Sequence, residues 1–137
     1  MKSEIIIEPR YAETDQMGII HHSVYPVWYE MARVKFCFDI GLPFQHIEQR
    51  GVGLVMVHMA LTYLKPARFG EFVRIETRLT EFSKVRMTFK YEVYNDANEM
   101  INQGETKLVW LGKDLKPLNI YKDHADIYEL FKKQLEE

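Results

Sequence analysis

One carboxylate, Asp15, sits in the stretch Tyr11-Ala-Glu-Thr-Asp-Gln-Met-Gly-Ile-Ile-His-His-Ser-Val-Tyr25. Gly18, the histidine pair His21–His22 and Ser23 follow it at once. A helix predicted to begin here presents backbone N–H groups that have no partner inside the helix. A carboxylate facing such donors can attack a polarised carbonyl, or deliver water to it, without metal or redox cofactor. The plainer reading of Asp15 is an Asx-turn toward Gly18. A metal site built from Glu13, Asp15, His21 and His22 is the weaker alternative. Adjacent histidines seldom aim both rings at one ion, and no spaced Cys or His set accompanies them. We expect no metal and no cofactor.

Several elements must hold this loop. Residues Ile5 to Arg10 read as a first strand ending near Pro9. Val24 to Ile40 reads as a long helix, with Val24, Val27, Trp28, Met31, Val34 and Phe38 at helical spacing. Ser23 is its expected cap and Pro26 falls in its first turn. Gly41 and Pro43 stop it. Its polar positions are few, so it is expected to be buried on most sides. A short helix from Pro43 to Arg50 ends at Gly51.

The remainder reads as strand. Leu54 to Leu64 is an apolar run expected to form a central strand. In Phe72–Leu79, Val73, Ile75, Thr77 and Leu79 alternate with Arg74, Glu76 and Arg78. In Val85–Val93, Met87, Phe89 and Tyr91 alternate with Arg86, Thr88 and Lys90. This period of two marks an antiparallel sheet with one packed and one solvated face. Asn95–Asn98 is a turn, Glu105–Leu111 a strand, and Asp123 the expected cap of a last helix running to Leu135. The layout is α+β, a curved antiparallel sheet around a long helix.

With 137 residues and 47% hydrophobic composition, the chain reads as one domain, residues 1–137. Eighteen basic and twenty acidic residues leave a net charge of −2, which gives no reason to expect nucleic acid as partner. The lone Cys37, set among Val34, Phe36 and Phe38, reads as core packing and fits a reducing compartment. No apolar run approaches the ~20 residues of a membrane span, and the start lacks a signal-peptide pattern. The expected setting is cytoplasmic.

Asp15, Gly18, His22, Tyr25 and Glu30 follow the pattern Asp-x-x-Gly-x-x-x-His-x-x-Tyr-x-x-x-x-Glu. Leu64-Lys65-Pro66-Ala67-Arg68-Phe69-Gly70-Glu71 supplies a second match. On these residues the chain resembles the hotdog-fold acyl-CoA thioesterases, in particular the 4-hydroxybenzoyl-CoA thioesterase-like branch that includes the Tol-Pal-associated enzymes. The resemblance spans roughly Glu8 to Lys113. It implies the hotdog fold and hydrolysis of an acyl-CoA to a carboxylic acid and coenzyme A.

It also implies Asp15 as nucleophile or general base, and backbone N–H groups near His22 and Ser23 as holders of the thioester carbonyl. Gly18, Ile19 and Tyr25 then border the substrate. Trp28, Tyr29 and Phe36 are candidates for an acyl pocket, with core packing the commoner fate of such residues. Lys65, Arg68, Ser83, Lys84 and Arg86 are candidates for the coenzyme A phosphates, the alternative being ordinary solvated charge. A homodimer or homotetramer with sites at the interface is implied, and acyl carrier protein is a further possible acyl donor. Family members often carry an aromatic residue or glycine where this chain has His21.

Two rivals share the fold. An enoyl-thioester hydratase or dehydratase uses Asp-x-Asn-Pro-x-His, which is absent here, since Asp15-Gln16-Met17-Gly18 runs differently. A protein that binds acyl-CoA or acyl carrier protein without turnover is the other.

Overall fold

The computed structural model describes residues 1–135. Five strands form one antiparallel sheet: β1 (Lys2–Ile7), β2 (Gly53–Tyr63), β3 (Val73–Phe82), β4 (Arg86–Tyr94) and β5 (Met100–Leu111). Their order is β1-β3-β4-β5-β2. The helix α1 (Tyr25–Asp39) lies against this sheet. The shorter helices α2 (Phe44–Gln49), α3 (Ile120–Asp123) and α4 (Ala125–Lys132) flank it. This is the α+β hotdog arrangement that the resemblance implies.

The alternation read in the sequence becomes the two faces of the sheet. Val73, Ile75, Leu79, Met87, Phe89, Tyr91 and Val93 are all buried. The outer face carries cross-strand charge pairs such as Arg78–Glu92 at 2.9 Å. From α1, Tyr25, Trp28, Tyr29, Ala32 and Phe36 enter the core at spacings of three and four. Tyr29 stacks on Tyr91 with centroids 4.1 Å apart, and Phe36 meets Phe89 edge-on at 5.1 Å. Trp28, Tyr29 and Phe36 are therefore buried in the core. Cys37 is buried as expected, and burial pushes its thiol up to about 12.

Several boundaries move. β1 ends at Ile7 rather than Arg10, because the Arg10 N–H bonds the Glu13 carboxylate at 2.7 Å and opens a tight turn. β5 begins at Met100, five residues before the expected Glu105, since it pairs with β4 and β2 along its whole length. Ser23 does not cap α1: it lies inside a short 3₁₀ turn, His22–Val24, whose cap is the His21 ring. Nor does Asp123 cap the last helix. It ends α3, which Asn119 caps, and the residue before α4 is His124.

Two corrections concern burial. Leu54–Leu64 is not a central strand: β2 is the sheet edge, and Val55, Val57 and Leu64 are exposed. Its apolar run reflects uncovered surface rather than a strand hidden on both sides. His58 within it is likewise exposed, 3.4 Å from Glu105. The sheet also covers only one side of α1. Val27, Met31, Val34 and Phe38 form a second stripe that the protomer leaves exposed. A five-stranded sheet reaches one face of a helix, so the all-round apolarity of α1 exceeds what one chain can bury.

The C-terminal helix is tied to α2 by Arg50, whose guanidinium grips Asp126 with two bonds of 2.6 and 2.8 Å. That hydrogen bonding pulls the Asp126 carboxyl down to about 2. Its folded pKa lies below its unfolded one, so the stabilisation is present above about pH 4. It is lost as pH falls toward 2. The pair is exposed, so the expected loss for Asp126→Asn is only about 0.5 kcal/mol at neutral pH. Melting curves of the two proteins should differ at pH 7 and converge near pH 2; a constant offset would remove the assigned charge pairing.

Candidate active site

The Tyr11–Tyr25 segment folds as a knot of short hydrogen bonds rather than a free loop. The Asp15 N–H donates to the Ile19 carbonyl at 2.8 Å, and the Gly18 N–H donates to the Asp15 carbonyl at 3.1 Å. Gly18 sits at φ +80°, the left-handed region that glycine enters without steric cost. A Cβ there would meet no neighbouring atom, so conformation alone selects the residue. Glu13, nearly buried, holds the Arg10 N–H with its carboxylate and the His21 N–H with its carbonyl at 2.8 Å. Ile20 anchors the far side, its N–H donating to the Ala67 carbonyl at 2.9 Å.

Asp15 satisfies the plain reading and leaves room for the chemical one. One carboxylate oxygen, Oδ1, accepts the Met17 N–H at 2.7 Å and, more weakly, the Ile19 N–H at 3.4 Å. That is an Asx-turn. The other oxygen takes no hydrogen bond among the described residues. The loop thus fixes the carboxylate by one oxygen and presents the second.

Asp15 lines a cleft of about 400 Å³ with Ile19, Ile20, His22, Tyr25, Tyr63 and the Leu64–Pro66 turn. His22, at the start of the 3₁₀ turn leading into α1, forms part of the same wall. Its N–H has no acceptor among the described residues. The Ser23 N–H does have one, His21 Nδ1 at 3.2 Å, and the Val24 N–H bonds the His21 carbonyl at 3.0 Å. Of the His22, Ser23 and Val24 N–H groups, that of His22 alone lacks an acceptor among the described residues. Burial pushes the Tyr25 hydroxyl above its usual range, so it stays protonated at neutral pH.

Tyr63 closes the cleft from β2. Its hydroxyl donates to the His22 carbonyl at 2.8 Å, and its ring meets Tyr25 edge-on at 5.3 Å. Nothing in the sequence marks it. It belongs to a strand end 41 residues from His22, and only the folded chain joins the two. Ile20, also unmarked, is buried beneath the loop.

The five basic-group candidates divide. Lys65 is on the cleft rim and paired with Glu99, while Arg68 bridges to Ile19 through the backbone. Ser83, Lys84 and Arg86 occupy the β3–β4 hairpin, at the opposite end of β4, roughly 25 Å along the sheet. There the Ser83 hydroxyl accepts the Arg86 N–H at 3.2 Å, and Lys84 lies over the Tyr121 ring at 5.0 Å. Within one protomer they do not form a single anion site. A larger groove of about 490 Å³ on the outer sheet face holds none of the candidate residues and is crossed by charges such as Arg78 and Glu92. Among the described residues no His, Cys, Asp and Glu group has metal-site geometry, and no helix is long and apolar enough to cross a membrane.

Comparison with known proteins supplies the family context. Residues 9–126 match the model of the thioesterase-like superfamily. A Bacillus subtilis protein, YneP, provisionally named an acyl-CoA thioesterase, is 32% identical over 128 residues, 93% of each chain. The structure of a DHNA-CoA thioesterase from Staphylococcus aureus superposes with a TM-score of 0.93 at 32% identity, covering 96% of this chain and 89% of that one. That of the hypothetical protein TT1821 from Thermus thermophilus gives 0.91 at 39% identity over the full length of both.

Proposed function

The chain belongs to the thioesterase-like superfamily, and on that premise we propose that it hydrolyses an acyl-CoA to a carboxylic acid and free coenzyme A. The observation carrying this reading is the pairing in one cleft of a half-tied carboxylate, Asp15, with an unpartnered helix-start donor, the His22 N–H. The free oxygen of Asp15 takes a proton from water as that water adds to the thioester carbon, or itself adds to it. The carbonyl oxygen becomes an oxyanion held by the His22 N–H, with the dipole of α1 behind it. Collapse expels the coenzyme A thiolate, which leaves as the thiol. In the water mode it takes the proton held by the Asp15 carboxyl. In the direct mode water then cleaves the acyl–Asp15 anhydride to the carboxylic acid and the free Asp15 carboxylate, releasing the proton that the thiolate takes. Gly18 gives the turn its shape, and Ile19 and Tyr25 border the acyl group.

In this reading Lys65, on the cleft rim, and Arg68, bridged to Ile19, meet the anionic half of the substrate. Ser83, Lys84 and Arg86 serve the same cleft only across a subunit boundary. A homodimer or homotetramer is supported by the uncovered Val27–Met31–Val34–Phe38 stripe and the unpaired β2 edge. A contiguous apolar patch of this kind marks an interface. A cytoplasmic setting is the reading that the single buried cysteine supports. Acyl carrier protein remains the alternative acyl donor.

The test is thiol release from a panel of aromatic, short-chain and long-chain acyl-CoAs, run beside hydration of crotonyl-CoA. Thiol release from at least one class supports the reading. Hydration without release would assign the hydratase rival, and tight binding with neither reaction would assign the binding protein.

A further inference from the structure

The peptide unit joining His22 to Ser23 is gripped at both ends by side chains. Its carbonyl accepts the Tyr63 hydroxyl at 2.8 Å. Its N–H donates to His21 Nδ1 at 3.2 Å. A backbone N–H can only donate, so Nδ1 must carry the lone pair and the ring proton resides on Nε2. The Ser23 hydroxyl, 2.7 Å from the same Nδ1, then donates to it as well. The two grips come from different parts of the fold, one from the end of the edge strand β2, the other from the residue just before the turn.

We propose that Tyr63 and His21 are positioning residues that pin the His22–Ser23 peptide and so hold the neighbouring His22 N–H in place beside Asp15. The proposal rests on the thioesterase reading and extends it to residues outside the family pattern. A surface 3₁₀ turn has few bonds of its own, and hydrogen bonds weaken steeply as the donor angle opens. A donor serving an oxyanion must already point at it before reaction. Tyr63 secures this in two ways at once. Its hydroxyl fixes the carbonyl of His22, and its ring rests against the buried ring of Tyr25, the first residue of α1. His21 fixes the other end while its ring lies against that of His22, centroids 4.1 Å apart. His21 is therefore a cap in place of the usual Ser, Thr, Asp or Asn.

Three variants separate positioning from simple support. Tyr63→Phe keeps the ring contact with Tyr25 and removes only the hydroxyl. His21→Leu removes the acceptor, and His21→Asn restores one, since asparagine is among the best capping residues. We expect Tyr63→Phe and His21→Leu each to lower kcat roughly three- to tenfold, the size of one hydrogen bond. KM should stay within about twofold on that scale, and His21→Asn should recover most of the loss.

The second measurement needs no turnover. In amide NMR spectra of the ligand-free protein, the His22 and Ser23 resonances should shift in Tyr63→Phe and His21→Leu, with the melting temperature little changed. Unmoved resonances overturn the proposal, whatever the catalysis. So does an unchanged kcat, or a change confined to KM, which would make Tyr63 a substrate wall only. Should the wild type turn over no acyl-CoA at all, the functional reading fails separately, and the NMR result alone decides the positioning claim.

Discussion

Asp15→Asn lowers kcat by about 10²–10⁴-fold, the range spanned by a positioned proton-transfer group, and leaves the loop folded. The second half of this expectation follows from the geometry. The Asp15 oxygen that builds the turn accepts from the Met17 and Ile19 N–H groups. An asparagine carbonyl oxygen accepts equally well, so the Asx-turn survives. Only the presented oxygen changes, from an acceptor with negative charge to an amide nitrogen that can neither take a proton nor attack. Asp15→Ala is the contrasting variant. It loses the turn as well, and should combine the catalytic defect with a drop in melting temperature. Steady-state thiol release and thermal melts on the two variants give the result. Wild-type kcat in Asp15→Asn would remove Asp15 from the chemistry and return it to the plain turn reading. Single-turnover hydrolysis in oxygen-18 water then separates the two modes. A label found in the Asp15 carboxylate after one turnover marks direct attack.

The second large effect is on stability. Gly104 lies on β5 opposite Leu61 of β2, under the ring of Tyr29. A Cβ at this position would sit 2.5 Å from the Tyr29 hydroxyl oxygen, 2.8 Å from a ring carbon of Tyr29 and 2.9 Å from the Ala60 carbonyl oxygen. Two of these are not flexible side-chain ends. The Ala60 carbonyl is part of the sheet backbone. The Tyr29 ring is held by its stack on Tyr91 and by its hydroxyl, which donates to Asn102. Gly104→Ala must therefore push α1 off the sheet or break the Tyr29–Asn102 bond inside a fully buried site. Overpacking of this kind costs about 3 kcal/mol. Chemical denaturation should show that loss, and adding Tyr29→Ala should return part of it, because the two changes share one space. An unchanged midpoint would mean the helix-to-sheet distance is looser than the buried Tyr29 contact implies.

These two residues also mark what could and could not be read from the chain. Asp15 was legible because its neighbours in space are its neighbours in sequence: Met17, Gly18, Ile19 and His22 all belong to one short segment. The alternation of β3 and β4 was legible for a related reason. A strand with one wet face writes its geometry directly into every second residue. Gly104, by contrast, sits in a strand with no turn or bulge to account for it. Its need is set by a tyrosine 75 positions earlier in the chain.

The same division applies to the site. Tyr63 reads as one more strand aromatic until the fold sets its hydroxyl on the His22 carbonyl. Ser23 reads as the natural cap, yet His21 takes that role, because the turn begins two residues earlier than the helical spacing shows. Lys65 and Ser83–Arg86 read as one basic group when only residue types are visible. Antiparallel pairing sends them to opposite ends of the sheet. The Leu54–Leu64 run gives its hydrophobicity without giving the identity of what covers it. An edge strand awaiting a partner and a central strand look alike in one dimension.

The sequence by itself determined the α+β order of elements, the two-faced sheet, the apolar helix and the carboxylate loop before it. All of these follow from local periodicity and short-range hydrogen bonding. Only the tertiary structure decided which oxygen of Asp15 is left without a hydrogen bond among the described residues, which helix-start N–H remains open there, and that Tyr63 and His21 grip the peptide between them. Those facts depend on directions in space, within the folded loop for Asp15 and His21 and across 41 residues for Tyr63, and a linear order of residues carries spacing but no direction.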